Sequence, residues 1–141
     1  FTGLSFANLV TLTFKQIEGD TVKFFREKTK TWHYVPLNET ALSLLGDTAI
    51  CDPQDRIFSV PKHRQCSYIL EKWGKEAGIK KHLHMHLSRH TFATLSLTSG
   101  ADLYTVSKLI GHKKLATTQI YAKVIDEKKR RAVNNLPRLE L

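Results

Sequence analysis

The chain has 141 residues, enough for one domain with a hydrophobic core, and its 41% hydrophobic and 25% charged residues are typical of a globular protein. It contains no apolar run that could cross a bilayer and no signal peptide, so we expect no membrane partner. Lysine and arginine number 22 against 13 acidic residues. The resulting net charge of +9 favours a polyanion such as nucleic acid, although charge alone is equally compatible with a solvated basic surface.

The two cysteines indicate the compartment of the protein, and the first residues indicate whether the sequence is a fragment. Cys51 and Cys66 match neither a zinc spacing nor a disulfide framework. A reducing compartment is the simplest interpretation, and we expect a cytoplasmic protein of the bacterial cytosol or nucleoid. The chain opens at Phe1 inside what reads as an established element, and Met85 is its only methionine. We therefore interpret it as a fragment or an expressed domain.

A helix and a hairpin are predicted first. Leucines at helical spacing indicate a helix within residues 4–12. Val22 and Phe24 alternate with charged residues, which is typical of a half-buried strand, and residues 32–35 predict a returning strand. The polar turn at residues 28–31 would give this hairpin a basic tip.

Two helices are predicted in the middle of the chain. Asn38 is suited to cap a short helix that Gly46 would end, with a loop over residues 46–56. The apolar pattern over residues 62–77 then predicts a longer helix that ends at Gly78.

The last third of the chain predicts three more helices. The first covers residues 86–98, and the apolar residues expected on its inward face are Phe92, Leu95 and Leu87. Asp102 would cap a helix over residues 103–110 that Gly111 ends, and residues 115–125 form the next. The expected fold class is therefore mainly α with a small antiparallel β-hairpin or sheet, an α+β arrangement.

The order His86-x-x-Arg89, then Gly111-His112, then Tyr121 is the most informative pattern. Side chains three residues apart share one face of a helix, and Tyr121 follows His112 by nine positions. Two imidazoles, a guanidinium and a phenol are the groups needed to bind a phosphodiester and attack it.

The text around these residues resembles the catalytic end of the tyrosine recombinases, the phage-integrase family of DNA breaking-and-rejoining enzymes. The main match is "HLSRHTFATLSLTSGADLYTVSKLIGHKKLATTQIYAKV", with fainter matches in "FTGLSFANLVTL" and "REKTKTWHYVPL". The resemblance implies that residues 1–141 form a C-terminal catalytic domain without the family's upstream DNA-clamping domain. It also implies the tyrosine recombinase catalytic-domain fold. The reaction it implies is DNA cleavage through a 3′-phosphotyrosine, for which no cofactor is needed.

Chemistry and resemblance together suggest a role for each residue of the pattern. Arg89 can bind two phosphate oxygens through its planar fork, and His112 can donate a third hydrogen bond. His86 is close enough on the helix to accept the phenol proton. Tyr121 is the candidate nucleophile, although a tyrosine is by default a core or interface residue. The resemblance implies that Lys28, at the hairpin tip, protonates the leaving 5′-oxygen.

One position departs from the family pattern. The family places an arginine after Thr-Gly-Leu, where this chain has Ser5. Losing a charge-assisted phosphate contact would cost about 1.5–3 kcal/mol if nothing replaced it. Arg26 or Arg64 could fill the gap; otherwise activity is reduced or absent.

Other interpretations lead to different ligands and functions. His82, His84 and His86 alternate, as metal ligands on one face of a strand would, but no fourth ligand has convincing spacing, so we expect no metal. The resemblance implies, as the leading hypothesis, a site-specific DNA recombinase that is an integrase of a mobile element. A DNA-binding protein that no longer cuts, suggested by Ser5, is the second functional hypothesis, and a type IB topoisomerase is the third.

The resemblance also implies assembly on double-stranded DNA. Family members act as homotetramers on paired sites, whereas we expect the isolated fragment to be a monomer. The segment 127–141 is a candidate tail for exchange between subunits. A disordered basic tail is the alternative.

Overall fold

The computed structural model describes residues 2–27, 30–121, 126, 129–130 and 132–136. The chain forms two compact units that divide between Phe92 and Ala93.

The first unit contains a small antiparallel sheet. Its strands, in the order β1-β2-β3, are β1 (Ile17–Glu18), β2 (Thr21–Arg26) and β3 (Thr31–Pro36). The register pairs Val22 with Val35 and Phe25 with Trp32. The predicted hairpin is confirmed, and β1 adds a third strand that the alternation pattern did not indicate.

One face of this sheet forms the core of the first unit. Val22 and Phe24 are buried on β2, as their alternation predicts, because successive side chains of a strand point to opposite faces. The buried cluster consists of Leu12, Val22, Phe24, Val35 and Leu37. Leu4 packs against this cluster, so the segment that begins the chain lies against the sheet.

Three α-helices lie before residue 85 in the described part of the first unit. They are α1 (Phe6–Thr11), α2 (Glu39–Leu45) and α3 (His63–Glu76). Asn38 caps α2 as predicted, since its side chain accepts a hydrogen bond of 2.9 Å from the amide of Ala41. Gly46 follows α2 and Gly78 follows α3, both with positive φ. Short 3₁₀ helices lie at Phe14–Gln16 and Thr48–Ile50.

The last third of the chain is helical. It comprises α4 (Met85–Thr98), α5 (Leu103–Leu109) and the 3₁₀ helix Leu115–Tyr121, here called the Tyr121 helix. Asp102 caps α5 by accepting a bond of 2.9 Å from the amide of Thr105. The predicted helix over 115–125 is thus 3₁₀ as far as Tyr121, and residues 122–125 lie outside the described residues. None of the described helices combines the length and the apolar character that crossing a membrane requires.

The predicted inward face of α4 is wrong at Leu95, whose side chain is 54% exposed. The buried positions are instead Arg89, Ala93 and Leu97, which are spaced four residues apart along one stripe. Leu95 falls between Ala93 and Leu97 on the opposite side of the helix. Apolar periodicity missed this stripe because one of its members is an arginine. Phe92 and Leu87 are half-buried, as expected.

Gly3 lies in close contact with α4. Its φ of +62° is in the left-handed region, and a Cβ atom added there would overlap Cδ1 of Phe92 and lie 2.9 Å from Cε1 of the same ring. Gly19 has nearly the same φ, +61°, but nothing lies within 4 Å of its hypothetical Cβ. The two glycines therefore differ in packing and not in backbone conformation.

We predict that Gly3→Ala destabilises the protein more than Gly19→Ala. The left-handed conformation should cost either alanine variant about 1 kcal/mol. The clash with Phe92 should add about 1–3 kcal/mol at Gly3 only. Urea unfolding of both variants measures the difference. Equal losses at the two positions would contradict the packing argument.

Candidate active site

Arg89 is held inside the first unit by the Thr2–Leu4 segment. Its side chain is 6% exposed, and Nη1 donates a hydrogen bond of 2.6 Å to the carbonyl oxygen of Gly3. A buried guanidinium is expensive unless it is hydrogen-bonded, so this contact restrains the side chain at the same time as it offsets part of that cost. The Thr-Gly-Leu segment therefore positions Arg89 through its backbone.

His86 precedes Arg89 by one turn on α4 and favours its neutral form. Burial lowers the pKa of the His86 imidazole below its usual 6.5, and the nearby charges of His90, Arg89 and His84 lower it further. The rings of His86 and His90 meet edge to face with centroids 4.6 Å apart. A neutral imidazole can accept a proton, whereas an imidazolium cannot.

His112 and Tyr121 lie in the second unit. Gly111 follows α5 with a φ of +63°, and the amide of His112 then donates to the carbonyl of Ser107 over 2.9 Å. The ring is restrained as well, because Nδ1 of His112 lies 2.9 Å from the hydroxyl oxygen of Thr118. Tyr121 is the last residue of the Tyr121 helix and is buried.

Ser5 has a structural role at the position where the family has an arginine. It is the N-cap of α1, and its hydroxyl accepts a hydrogen bond of 3.3 Å from the amide of Asn8. The hydroxyl also donates to the side-chain oxygen of Asn8. Serine is among the residues preferred at this position, so the departure from the family pattern supplies a helix cap.

The two proposed substitutes for the missing arginine differ in environment. Arg26 has the same strand parity as Val22 and Phe24, so it lies on the inward face of β2 and is half-buried. Burial lowers the pKa of its guanidinium below the usual value. Arg64 is exposed on the first turn of α3.

The sequence between β2 and β3 contains Lys28, the predicted acid, and a second lysine, Lys30. Lys28 lies outside the described residues. Lys30 has a φ of 53° and forms an exposed ion pair with Glu27. The ion pair engages the Lys30 ammonium with a carboxylate, which makes Lys30 a weak candidate for donating a proton to a leaving oxygen.

The rings of His82 and His84 stack with centroids 5.9 Å apart. Within the described part of the chain, no group of three or more histidine, cysteine or acidic side chains is arranged to hold a metal ion.

The structure therefore places the predicted residues in two sets. Ser5, Arg26, Arg64, His86 and Arg89 lie in the first unit, and His112 and Tyr121 lie in the second. The sequence patterns missed Gly3 and Thr118. Gly3 had a usable signal, since it belongs to the Thr-Gly-Leu text that precedes the departure at Ser5. Nothing local in the sequence marks a threonine hydroxyl as the partner of an imidazole six residues earlier.

Residues 1–128 match the phage integrase family. Because the match covers most of the chain, the protein belongs to the phage integrase family.

Several relatives are named tyrosine recombinases. The tyrosine recombinase XerC of Actinobacillus pleuropneumoniae is 40% identical over 97 residues, which is 62% of this chain and 32% of that protein. A tyrosine recombinase of Pseudothermotoga lettingae is 34% identical across 96% of this chain and 50% of its own length. The chain thus spans half or less of the length of these relatives.

Solved structures share the fold. The XerA recombinase aligns with 99% of this chain and 56% of its own, at a TM-score of 0.75 and 24% identity. The catalytic domain of bacteriophage HP1 integrase aligns with 96% of this chain and 76% of its own, at a TM-score of 0.70 and 23% identity. The chain therefore has the tyrosine recombinase catalytic-domain fold, as its sequence predicts.

We predict that His86 titrates below 6.5 and that His90→Gln raises its pKa. Removing the His90 charge relieves repulsion of the His86 imidazolium, so protonation should become easier. In the unaltered protein the folded state binds fewer protons than the unfolded state as pH falls from 6.5 through the folded pKa. His86 should therefore lower stability progressively as pH falls across that window.

Proton NMR of the histidine rings measures the titration. His82→Gln is the matched control, because His82 is not among the groups that shift the pKa of His86. A His86 pKa above 6.5, or an equal response to both substitutions, would contradict the assignment.

Proposed function

We propose that this chain is the catalytic domain of a site-specific DNA recombinase, and that residues 1–141 are the C-terminal part of a longer integrase of a mobile element. The observation that carries the proposal is the family match over residues 1–128, within which the chain keeps His86, Arg89, His112 and Tyr121. The relatives' names support recombination over topoisomerase activity. The net charge of +9 supports double-stranded DNA as the substrate.

The proposed reaction is a transesterification at a DNA phosphate. The phenolic oxygen of Tyr121 forms a bond to phosphorus, and the bond from phosphorus to the 5′-oxygen breaks. The phenol proton passes to His86, whose lowered pKa keeps it neutral and able to accept. Tyr121 is buried at the end of the Tyr121 helix. The phenol therefore reaches the bound phosphate only where this helix presents it.

The remaining groups stabilise charge. Arg89 and His112 donate hydrogen bonds to the nonbridging oxygens, where negative charge develops. Lys28 gives a proton to the leaving 5′-oxygen. A 5′-bridging phosphorothiolate tests this division, because its thiolate leaving group needs no proton and should rescue Lys28→Ala but not Arg89→Ala.

Arg26 is the proposed substitute for the arginine that Ser5 replaces. Leu4, next to Ser5, packs on the same buried cluster that contains Val22 and Phe24. Arg26 lies on the same inward face of β2, and its half-buried guanidinium is partly desolvated. A phosphate is the kind of anion that such a charge favours.

We further propose that the protein assembles as a homotetramer on paired DNA sites and that the segment 127–141 exchanges between subunits. XerH, a structure similar to this chain with a TM-score of 0.65 and 25% identity, is bound to its difH substrate, which supports the DNA part of this proposal. In this chain Val133 and Leu136 are each 65% exposed, which supports a partner for the tail. Light scattering of paired-site complexes, with the chain ended after Glu127, tests the assembly.

We predict that Tyr121→Phe abolishes covalent attachment to DNA and leaves DNA binding nearly unchanged, because only the phenolic oxygen is lost. A suicide duplex that traps the phosphotyrosine adduct is the assay. Tyr104→Phe is the matched control, since Tyr104 is 60% exposed on α5. Adduct formation by the Tyr121→Phe variant would exclude Tyr121 as nucleophile, and a wild-type protein that binds DNA without any adduct would favour the non-cutting alternative.

We predict that Arg26→Ala slows single-turnover cleavage by about 10–100-fold, as the loss of a charge-assisted phosphate contact should. Arg64→Ala removes the same charge from an exposed site and should change the rate little. Ser5→Arg should bring no gain, since it removes the cap of α1 and adds a like charge. A strong loss from Arg64→Ala with none from Arg26→Ala would reverse this assignment.

A further inference from the structure

The His112 imidazole has a buried hydroxyl beside it. Nδ1 lies 2.9 Å from Oγ1 of Thr118, and Thr118 is 0% exposed. A buried hydroxyl needs a hydrogen-bond partner, and this pairing supplies one. The contact therefore serves both groups, because it satisfies the hydroxyl and restrains the ring.

Thr118 also shares a helix face with Tyr121. Both belong to the Tyr121 helix, which is 3₁₀. Side chains three residues apart eclipse one another in a 3₁₀ helix, so the two lie one above the other on its inner face. Both side chains are buried, in agreement with that geometry. Thr118 therefore links two segments. It belongs to the Tyr121 helix, and its hydroxyl contacts His112 in the preceding loop.

The hydroxyl also selects a protonation pattern. When it donates to Nδ1, the neutral imidazole carries its own proton on Nε2 and can donate from that atom. When the ring is cationic, the same hydroxyl can rotate and accept from Nδ1. A threonine therefore supports the donor form of His112 in either charge state.

We propose that Thr118 is a positioning residue for the reaction. It orients the His112 ring so that Nε2–H points to the phosphate, and it sets the distance between His112 and Tyr121. The inference rests on the proposed recombinase function. Valine has nearly the shape of threonine without the hydroxyl, and serine keeps the hydroxyl without the methyl group. Thr118→Val and Thr118→Ser therefore separate hydrogen bonding from packing.

The main experiment is a double-mutant cycle on single-turnover cleavage of a suicide duplex by the full-length protein. Thr118→Val should slow cleavage about tenfold, the usual effect of one lost hydrogen bond, and Thr118→Ser should retain most of the rate. In a His112→Ala background, Thr118→Val should cost little more, because the group it orients is gone. An equal loss with and without His112, or no loss at all, would overturn the proposal.

Nitrogen-15 NMR of the imidazoles provides a test that needs no DNA. The Nδ1 resonance of His112 should move in Thr118→Val and stay in place in Thr118→Ser, while the other imidazoles stay unchanged. An Nδ1 resonance that is the same in wild type and Thr118→Val would overturn the contact. If wild type forms no covalent adduct, the recombinase proposal fails, and this resonance still decides whether Thr118 restrains the ring.

Discussion

The burial of the Arg89 guanidinium is the constraint on which the first unit depends. A cation taken out of water must be held by polar partners, and one of them is the backbone carbonyl of Gly3. That carbonyl can approach only because residue 3 has no side chain to meet Phe92. The Thr-Gly-Leu segment, α4 and the guanidinium therefore form one packed arrangement, in which a change to any member moves the others.

The same guanidinium influences the proton chemistry proposed for this site. Arg89 is among the charges that lower the pKa of His86, after burial and His90. One cation could thus attract a phosphate and keep a neighbouring imidazole ready to accept a proton. Without the bound anion, repulsion among the cationic groups favours neutral His86; a phosphate would offset part of that repulsion and raise the basicity of His86 when it is needed.

Local signals explain what the sequence could predict. The alternation of Val22 and Phe24, the cap at Asn38 and the cap at Asp102 each depend on a few neighbouring residues, and all are confirmed. The prediction for Leu95 failed because apolar spacing does not record that a buried arginine shares the inward stripe of α4. The His112–Thr118 bond was missed because it joins a loop to a 3₁₀ helix, and neither residue type implies the other. The residue pattern of the site was therefore visible in the sequence, but the contacts that orient it were not.

Ser5 shows how a departure from a family pattern can stabilise the fold and still remove a charge from the site. A serine at the position before α1 satisfies a helix amide that an arginine would leave to water. The serine thus stabilises the start of α1, while the proposed phosphate site lacks the arginine that the family pattern has there. Arg26 is on the inward face of β2, where it can return that charge without disturbing the cap. In that role the two positions are linked, because an arginine restored at residue 5 would add repulsion to Arg26 and remove the cap together. Under that proposal, the serine at residue 5 keeps the helix start capped while the phosphate contact moves to the end of β2.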